Sequence, residues 1–464
     1  MEQISFGTDG WRATLETFTN RRVRIVGQAV ASYLRDEGER APVAVGYDAR
    51  ETSEGFAEEL SRVLCANGFD VLFAERDCPT PLVAHAIVDR GLAGALVVTA
   101  SHNPPEYNGV KFIPADGAPA SPTVMDAVAD RLAEPEVRAD AERGAVRRVE
   151  FGDSHASAAL DVLAAYGSDA TDPLSELTIA YDAMYGSGRG YTDALLERAG
   201  ASVERLRCER DPTFGGSPPE PAPEHLGELI ERVTTGEADL GIANDGDADR
   251  LAVVTPARGA LDENLFFAAL YDWLLEDASG PAIRTVSTTY LIDRVAEAHD
   301  ERAYEVPVGF KWVAAAMADR DALVGGEESG GFTVRGHVRE KDGVLVALLA
   351  AAMCAEESID ERVDRLLAEH GTVSQDKRSV ACPDAEKRRV VEDLESAIPD
   401  EVAGVAVADV NTADGFKLLL ADGSWLLVRP SGTEPVLRVY AEASDDERVG
   451  TLLSAGTALV ESVV

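Results

Sequence analysis

Short apolar runs alternate with amphipathic segments along most of the chain. An apolar run at 43–48 predicts a strand, a helical pattern follows at 53–66, and residues 71–74 predict a second strand. The same β-α-β order returns at 177–206 and again at 283–308. Because one parallel crossover unit occurs three times, we predict three similar α/β domains in tandem.

The pattern changes after residue 371. A helical pattern at 390–398 is followed by short strand patterns joined by tight turns and by a final helix at 448–460. This order predicts a small α+β domain with an antiparallel sheet, so the expected fold class is α/β, with three tandem domains of mixed sheets plus a C-terminal α+β domain. The short strands are expected at 404–410, 415–420 and 424–428.

One loop stands out for chemistry. The apolar run 95–98 predicts a buried strand, which must stop at two consecutive prolines, so Ser101 is expected on a rigid loop just beyond it. Asn108-Gly109 is a turn dipeptide and precedes a second apolar run at 110–114. Ser101 is therefore expected at the mouth of two strands, where α/β sheets carry out chemistry. His102 points away from its neighbour in an extended chain, so the two residues are not by themselves a nucleophile and its base.

A second loop carries alternating carboxylates. Asp245, Asp247 and Asp249 lie between two apolar runs and can converge on one cation, and all-oxygen ligands suit a hard ion such as Mg²⁺. An EF-hand is excluded, because its required glycine and glutamate positions hold Arg250 and Pro256. The alternative is a solvated acidic turn in a very acidic protein, although three acids between buried strands are costly without a counterion.

The charge balance is extreme. The chain has 43 basic and 83 acidic side chains, which give a formal net charge of -40. Six of the 43 basic residues are lysines, and the share of apolar residues is near normal at 45%. An acidic, lysine-poor surface over an ordinary core indicates a salt-saturated cytoplasm, as in a halophilic archaeon, because high salt screens the repulsion. A high-GC genome would explain arginine in place of lysine but not the excess of acids. Nucleic-acid partners are disfavoured, because phosphate backbones repel such a surface.

The spacing of the cysteines and the hydropathy of the chain argue against disulfide, zinc and membrane-spanning structures. The five cysteines are scattered without CxxC spacing, which suggests neither a disulfide framework nor a zinc site. There is no run of about 18 apolar residues to span a bilayer, and the first residues lack the shape of a signal peptide. We therefore expect a cytoplasmic protein without a membrane partner; the oligomeric state cannot be read from the sequence.

Glycine-rich and arginine-containing turns supply candidate phosphate and sugar contacts. Arg12 follows two glycines and could form a fork for a phosphate, and the loop that begins at Arg429 combines hydroxyls, backbone amides and arginines into a possible phosphate cradle. Glu327 and Ser329 are two positions apart and can face the same sugar hydroxyls. As bare patterns, the opening turn and the Glu327 turn are equally well explained as ordinary turns.

The sequences of these motifs resemble those of the α-D-phosphohexomutases, the phosphoglucomutase and phosphomannomutase superfamily. TASHNPPEYNG is similar to the family's phosphoserine loop, DGDADR to its metal motif, GEES to its specificity loop and RPSGTEP to its phosphate-binding loop. The resemblance covers essentially the whole chain, with the motifs in the family's order. It implies four domains around a central cleft, which we expect at residues 1–148, 149–256, 257–371 and 372–464, with the first boundary in the charged stretch 134–148.

The resemblance implies an enzyme that interconverts hexose 1-phosphates and 6-phosphates. Phosphorylated Ser101 would give its phosphoryl group to the sugar, with a hexose 1,6-bisphosphate as intermediate and activator and with Mg²⁺ on the three aspartates and Ser101. GEESGG and GFKW look like glucose-type members, with mannose as the next candidate and glucosamine the third. A sugar phosphatase and a non-catalytic sugar-phosphate sensor are the alternatives from other classes.

The resemblance also assigns expected roles to individual residues. Lys111 is the candidate general acid/base, His102 is the weaker alternative, and Arg12 and Arg250 would stabilise charge. The residues expected to contact the sugar phosphate are Lys311, Glu327, Ser329, His337, Lys341, Arg429, Ser431, Gly432, Thr433 and Arg438.

Overall fold

The computed structural model describes residues 4–7, 10–139, 142–166, 173–432 and 434–464. Four sheets follow one another along the chain, three mixed and one antiparallel, so the expected fold class is confirmed. In the described part of the chain, no helix is both long enough and apolar enough to cross a membrane.

The first sheet has six strands in the order β1-β5-β4-β2-β3-β6. Its elements are β1 (Trp11–Thr14), α1 (Asn20–Asp36), β2 (Val43–Tyr47), α2 (Ser53–Ala66), β3 (Val71–Ala74), α3 (Thr80–Arg90), β4 (Gly94–Val98), β5 (Tyr107–Pro114), α4 (Pro122–Ala129) and β6 (Val146–Val149).

The second sheet has five strands in the order β11-β10-β9-β7-β8. Its elements are α5 (Gly152–Tyr166), β7 (Thr178–Asp182), α6 (Thr192–Arg198), β8 (Ser202–Leu206), α7 (Gly227–Thr234), β9 (Leu240–Asn244), β10 (Leu251–Thr255) and β11 (Gly259–Ala260).

The third sheet has four strands in the order β13-β12-β14-β15. Its elements are α8 (Glu263–Asp277), β12 (Ala282–Thr285), α9 (Leu291–Ala298), β13 (Ala303–Val306), α10 (Phe310–Arg320), β14 (Val324–Gly326), β15 (Phe332–Val334), α11 (Gly343–Glu356) and α12 (Ile359–His370).

The fourth sheet is antiparallel, with six strands in the order β16-β21-β20-β19-β18-β17. Its elements are β16 (Ser374–Ala381), α13 (Asp384–Ala397), β17 (Glu401–Val402), β18 (Val405–Asn411), β19 (Phe416–Leu420), β20 (Trp425–Pro430), β21 (Val436–Ala443) and α14 (Asp446–Glu461).

The first three sheets share one strand arrangement. In the first sheet, β2 pairs in parallel with β3 on one side and with β4 on the other, and β4 pairs antiparallel with β5. Strands β7, β8, β9 and β10 repeat this arrangement in the second sheet, and β12, β13, β14 and β15 repeat it in the third. The antiparallel hairpins are β4–β5, β9–β10 and β14–β15. Their three connecting loops therefore occupy equivalent places, and they are the loops with Ser101, with the three aspartates and with Glu327.

The packing joins these three sheets more closely than the fourth. One continuous apolar core extends from Trp11 to Leu366, whereas the C-terminal sheet and its helices have a core of their own from Cys382 to Val460. Helix α11 (GVLVALLAAAMCAE) lies inside the large core, with every residue from Gly343 to Met353 buried. Since that helix is apolar all round, it fits only where neighbours surround it, and it contacts α5, α6, α8 and strands of two sheets.

Two local expectations were wrong. Asn108 and Gly109 lie inside β5, opposite β1, where a Cβ on Gly109 would lie 2.5 Å from the Thr99 carbonyl oxygen, so close approach and not a turn explains the glycine. Strand β6, an exposed edge strand that pairs with β3, begins within the stretch 134–148, and the domain boundary expected in that stretch stays a prediction. Helix α13 begins at Asp384, because its first turns are charged and exposed and carry little apolar signal.

Candidate functional site

Ser101 is almost completely buried at the end of β4, with a left-handed backbone (φ 52°). Its hydroxyl donates to Asp245 Oδ2 at 2.7 Å and lies 3.3 Å from His102 Nδ1, and its backbone N–H donates to Thr99 Oγ1 at 2.8 Å. A left-handed conformation of a non-glycine residue is costly unless the surroundings enforce it, and such residues cluster at functional sites. The loop therefore presents this hydroxyl to the aspartates.

Arg50 holds the loop in that shape, a role that the sequence did not reveal. Its guanidinium donates to the carbonyl oxygens of Ser101 (2.8 Å), Asn103 (2.6 Å), Pro104 (2.6 Å) and Tyr107 (3.2 Å). Asp48 accepts from the Arg50 Nε at 2.9 Å, and both side chains are buried. A planar fork with five donors suits this cluster of carbonyl groups, and lysine could not replace it. The only available signal was an acid and an arginine directly after a strand.

The three aspartates lie in one buried cluster at the end of β9. One carboxylate oxygen from each of Asp245, Asp247 and Asp249 falls within 4.8 Å of the others, and all three side chains are fully buried. Burial, reinforced by the other two acids, raises the pKa of Asp245 well above its ordinary value. The glycine between the first two aspartates lets this loop approach the Ser101 loop, because a Cβ at Gly246 would lie 2.6 Å from the Ser101 carbonyl oxygen.

Two of the six lysines neutralise part of this charge. Lys111 Nζ contacts Asp247 Oδ2 at 2.8 Å and Asp249 Oδ2 at 2.7 Å, and Lys341 Nζ lies 3.2 Å from Asp249 Oδ2. Burial opposes ionisation of Asp249, but the two lysines and Arg250 outweigh it and hold the pKa of Asp249 below its ordinary value. Likewise burial lowers the pKa of Lys111 while Asp247 and Asp249 raise it, with a net rise.

The cluster also leaves acceptor oxygens for a cation. Among the described residues, Asp247 Oδ1 and Asp249 Oδ1 are buried and accept no hydrogen bond. Thr80 Oγ1 fixes the other oxygen of Asp247, to which it donates at 2.6 Å. Since buried carboxylate oxygens are rarely without partners, these two point to a hard, oxygen-binding metal ion, and the donor set fits one.

The arginines and His102 surround the same point. Arg12 Nη1 donates to Asn103 Oδ1 at 3.2 Å, and Arg250 Nε lies 3.8 Å from Asp249 Oδ1. Burial, then the nearby Arg250 and Arg12, lowers the pKa of His102 to about 2, so its imidazole is neutral. Thr8 and Asp9, which precede Arg12 in the same turn, lie outside the described residues.

The Glu327 loop adjoins this centre. Glu327 is buried and its Oε1 accepts from the Gly309 N–H at 2.9 Å, while Ser329 is half-buried. The Gly330 carbonyl accepts from the Leu251 N–H at 2.9 Å, which ties this loop to the strand that leaves the aspartates. A Cβ at Gly331 would lie 2.5 Å from Lys341 Cδ, so that glycine leaves room for the lysine.

The candidate phosphate cradle lies on the fourth sheet. Arg429 Nε donates to Asp414 Oδ2 at 2.9 Å, Ser431 Oγ accepts from the Glu434 N–H at 3.2 Å, and Arg438 pairs with Glu434. Asp414 also accepts from the Val308 N–H at 3.1 Å, so this sheet is linked to the third. Gly432 is exposed beside Ser431, and Thr433 lies outside the described residues.

The structure places two expected contacts elsewhere. Lys311 lines a cavity of about 360 Å³ between α1, the end of β5 and α10, together with Arg339. The His337 side chain is buried against Asp342, away from the aspartate cluster. The structure therefore brings together Ser101, His102, the aspartates, Lys111, Lys341, Arg12 and Arg250, with Glu327 adjacent, while Lys311 and His337 make other contacts.

Family models match the chain in four successive segments. The phosphoglucomutase/phosphomannomutase models described as alpha/beta/alpha domains I, II and III match residues 3–139, 160–259 and 262–370. The model described as the C-terminal domain matches residues 380–455.

Individual relatives match over almost their whole length. A protein of Methanothermobacter thermautotrophicus named probable phosphoglucosamine mutase is 32% identical, over 99% of this chain and 98% of its own. A phosphopentomutase of Thermococcus kodakarensis is also 32% identical, over 99% and 98%. The solved structure of a phosphomannomutase-like protein from Thermus thermophilus superposes with a TM-score of 0.86 at 30% identity, over 99% of each chain. The chain thus belongs to the phosphoglucomutase/phosphomannomutase family, within the α-D-phosphohexomutase superfamily, and is a mutase-type isomerase that transfers phosphoryl groups.

Proposed function

We propose that this protein interconverts hexose 1-phosphate and hexose 6-phosphate through a phosphorylated Ser101, with glucose as the preferred sugar and a hexose 1,6-bisphosphate as intermediate and activator. The observation that carries the proposal is the hydrogen bond from the buried Ser101 hydroxyl to Asp245 at 2.7 Å, within a cluster of three aspartates. A hydroxyl held against a candidate metal site is poised for phosphoryl transfer, and an arginine-supported loop keeps it there.

Asp245, Asp247 and Asp249 would hold Mg²⁺, which supplies neutralisation of charge on the transferring phosphoryl oxygens. The orphaned oxygens of Asp247 and Asp249 support this assignment. Phosphorylation of Ser101 would bring further oxygen ligands to the same place.

The two half-reactions balance. In the first, the P–O bond to Ser101 breaks, a P–O bond forms to the free hydroxyl of the sugar phosphate, the hydroxyl proton leaves and the Ser101 oxygen gains a proton. The bisphosphate then turns over in the cleft, and its other phosphoryl group returns to Ser101 by the same steps reversed. Arg12 and Arg250 stabilise charge on the phosphoryl group, and Lys111 is our candidate proton donor and acceptor.

The surroundings favour Lys111 over His102 for this proton. Lys111 is buried against Asp247 and Asp249, in the same cluster as the Asp245 that accepts from Ser101, and these two acids raise its pKa. It therefore holds a proton that it can give to the Ser101 oxygen, and it can take a proton back in the return step once it has given its own away. His102 is the group nearer to the Ser101 hydroxyl, but with a pKa of about 2 its imidazole is a very weak base.

Other residues would bind the substrate. We assign Glu327, Ser329 and Lys341 to the sugar hydroxyls. We assign the loop with Arg429, Ser431, Gly432, Thr433 and Arg438 to the substrate phosphate. Lys311 and His337 need a rearrangement to reach the substrate, so we leave them outside this set.

Sugar preference is tested by comparing kcat/KM for the 1-phosphates of glucose, mannose, glucosamine and ribose, with a trace of the matching bisphosphate. We expect glucose 1-phosphate to lead by about tenfold, because a misplaced or missing hydroxyl leaves polar groups of the Glu327 loop unpaired. Glucosamine is the second candidate, because the Methanothermobacter relative carries that name. A lead by another sugar would contradict the glucose assignment, and stoichiometric release of free phosphate would favour a phosphatase.

Salt dependence tests the proposal of a halophilic origin. With a net charge of -40, carboxylates repel over about 10 Å at 0.1 M salt but only about 3 Å at 1 M, and unfolding relieves that repulsion. We therefore expect the thermal midpoint and the mutase rate to rise between about 0.1 M and about 2 M KCl. Melting curves and rates at matched Mg²⁺ check this, and a midpoint that stays flat or falls would refute the halophilic origin alone.

A further inference from the structure

Three histidines and an aspartate converge outside the site described above. His85 is on α3, His155 is on α5, and His337 and Asp342 frame the segment between β15 and α11. Elements of three sheets therefore contribute to this cluster, which we call the histidine cluster. No local pattern in the sequence indicates it, because its members lie far apart in the chain and lack any metal-ligand spacing.

In three members of the histidine cluster, His155, His337 and Asp342, polar atoms lie close to one another. His155 Nε2 lies 2.6 Å from Asp342 Oδ2, and His337 Nε2 lies 2.9 Å from the same oxygen. The side chains of His155, His337 and Asp342 are essentially inaccessible to solvent, and one potential ligand atom from each lies within 4.8 Å of the others. Two imidazole nitrogens thus share a single carboxylate oxygen in a buried space.

Asp342 is oriented by the helix that it caps. Its Oδ1 accepts from the N–H groups of Val344 (3.1 Å) and Leu345 (2.8 Å) at the start of α11. Oδ2 is therefore the oxygen that faces the imidazoles. A carboxylate held by backbone donors on one oxygen keeps a fixed direction on the other, as metal-ligating carboxylates do.

His85 provides an independent observation. Its ring lies parallel to that of His337 with the centroids 5.2 Å apart, and 5.6 Å from that of His155. Within the described residues, its Nδ1 is buried and has no hydrogen-bond partner. The hydrogen bonds among His155, His337 and Asp342 therefore do not account for this nitrogen of the neighbouring ring.

We propose that His155, His337 and Asp342 form a second metal centre that binds a divalent transition-metal ion, Zn²⁺ first of all, with the His85 ring packed beside these ligands. Imidazole nitrogens with one carboxylate are typical of Zn²⁺ sites, whereas the all-oxygen aspartate cluster suits Mg²⁺. The two sites differ in chemistry, so each selects its own ion. To ligate through Nε2, each imidazole would carry its proton on Nδ1, so a proton on Nε2 would move to Nδ1 of the same ring and the imidazoles would stay neutral.

The proposed centre would act on the active site through the chain itself. Lys341 directly precedes Asp342 and its Nζ lies 3.2 Å from Asp249 Oδ2. A metal ion that fixes Asp342 and His337 would fix both ends of the segment that carries Lys341, and would tie α3 and α5 to it. Its role is structural and positioning, so it differs from that of the aspartate site.

The experiment uses Co²⁺ as a spectroscopic probe in the whole, metal-stripped protein, with Mg²⁺ in saturating excess to fill the aspartate site. We expect one Co²⁺ per chain with the intense visible bands of tetrahedral nitrogen and oxygen ligation, no thiolate charge-transfer band, and displacement by Zn²⁺. His155→Gln and His337→Gln should each weaken Co²⁺ binding at least about tenfold, and His85→Gln should weaken it less. The matched control Asp247→Asn, which alters only the other cluster, should leave the Co²⁺ spectrum unchanged.

A measurement on the unaltered chain covers the case in which a histidine variant does not fold. In the Co²⁺-loaded protein, hyperfine-shifted imidazole N–H signals in the proton NMR spectrum count the coordinated histidines, and we expect at least two. Only the weak octahedral spectrum of Co²⁺, bands with thiolate character, bands that survive both histidine substitutions, or an absence of shifted imidazole signals would each overturn the proposal.

Discussion

Replacing Ser101 by alanine is expected to abolish mutase activity, with a loss of at least about 10³-fold in kcat, and to leave the protein without its phosphoryl group. The hydroxyl is the acceptor and donor of that group, and water cannot take its place because Ser101 is buried against Asp245. Alanine removes the hydroxyl alone, and Arg50 still binds the loop carbonyls. Intact-mass spectrometry and a coupled assay of glucose 6-phosphate formation measure both effects.

A matched control separates this effect from a general loss of a serine. Ser157 lies on the exposed side of α5, where its hydroxyl donates to the Asp153 carbonyl oxygen within the helix. Ser157→Ala should retain the phosphoryl mass and the activity. If Ser101→Ala kept substantial turnover, or if the phosphoryl mass stayed on the chain, the nucleophile would have to be another residue.

The local pattern of the sequence was enough to find the Ser101 loop. The apolar run 95–98 ends where β4 ends, and β5 includes the second apolar run 110–114. Helix α2 and strand β3 begin and end at the expected residues 53–66 and 71–74. These elements are short, strongly patterned and bounded by turn residues, so local signals alone determine them.

The sequence alone did not predict that the three hairpin loops occupy equivalent positions in their sheets. The repeated β-α-β unit was visible, but strands β4, β9 and β14 join their sheets beside the first strand of each unit and not in chain order. Strand order depends on long-range pairing that no short window contains. Once that pairing is known, a single topological position accounts for the serine loop, the aspartate loop and the Glu327 loop.

Residues that act through backbone atoms or across sheets were also missed. Arg50 binds carbonyl groups 51 to 57 positions away, and Thr80 binds Asp247 at a separation of 167. His337 follows the Glu327 loop closely in sequence, but its side chain turns to Asp342 and His155. We expected His337 to contact the sugar because it is close to Glu327 in sequence, but packing between the sheets determines where its imidazole lies.

Replacing Asp247 by asparagine is expected to reduce kcat by about 10²-fold or more and to raise the Mg²⁺ concentration needed for half-maximal activity. Asparagine keeps the shape of the side chain but has one acceptor oxygen and no charge. That oxygen is already required by Thr80 Oγ1 at 2.6 Å and by Lys111 Nζ at 2.8 Å. The amide nitrogen then occupies the place of the orphaned Oδ1, where it cannot ligate a cation.

The same substitution should leave the fold intact, which separates loss of the metal from loss of structure. Removing one of three buried carboxylates relieves their mutual repulsion, and Lys111 keeps its contact with Asp249 at 2.7 Å. We therefore expect a thermal midpoint equal to that of the unaltered protein or higher when both are measured without Mg²⁺, and a smaller gain in midpoint on adding Mg²⁺. The exposed Asp400, substituted by asparagine, controls for the change of one charge and should alter neither quantity. An unchanged Mg²⁺ dependence of kcat in Asp247→Asn would place the catalytic metal elsewhere.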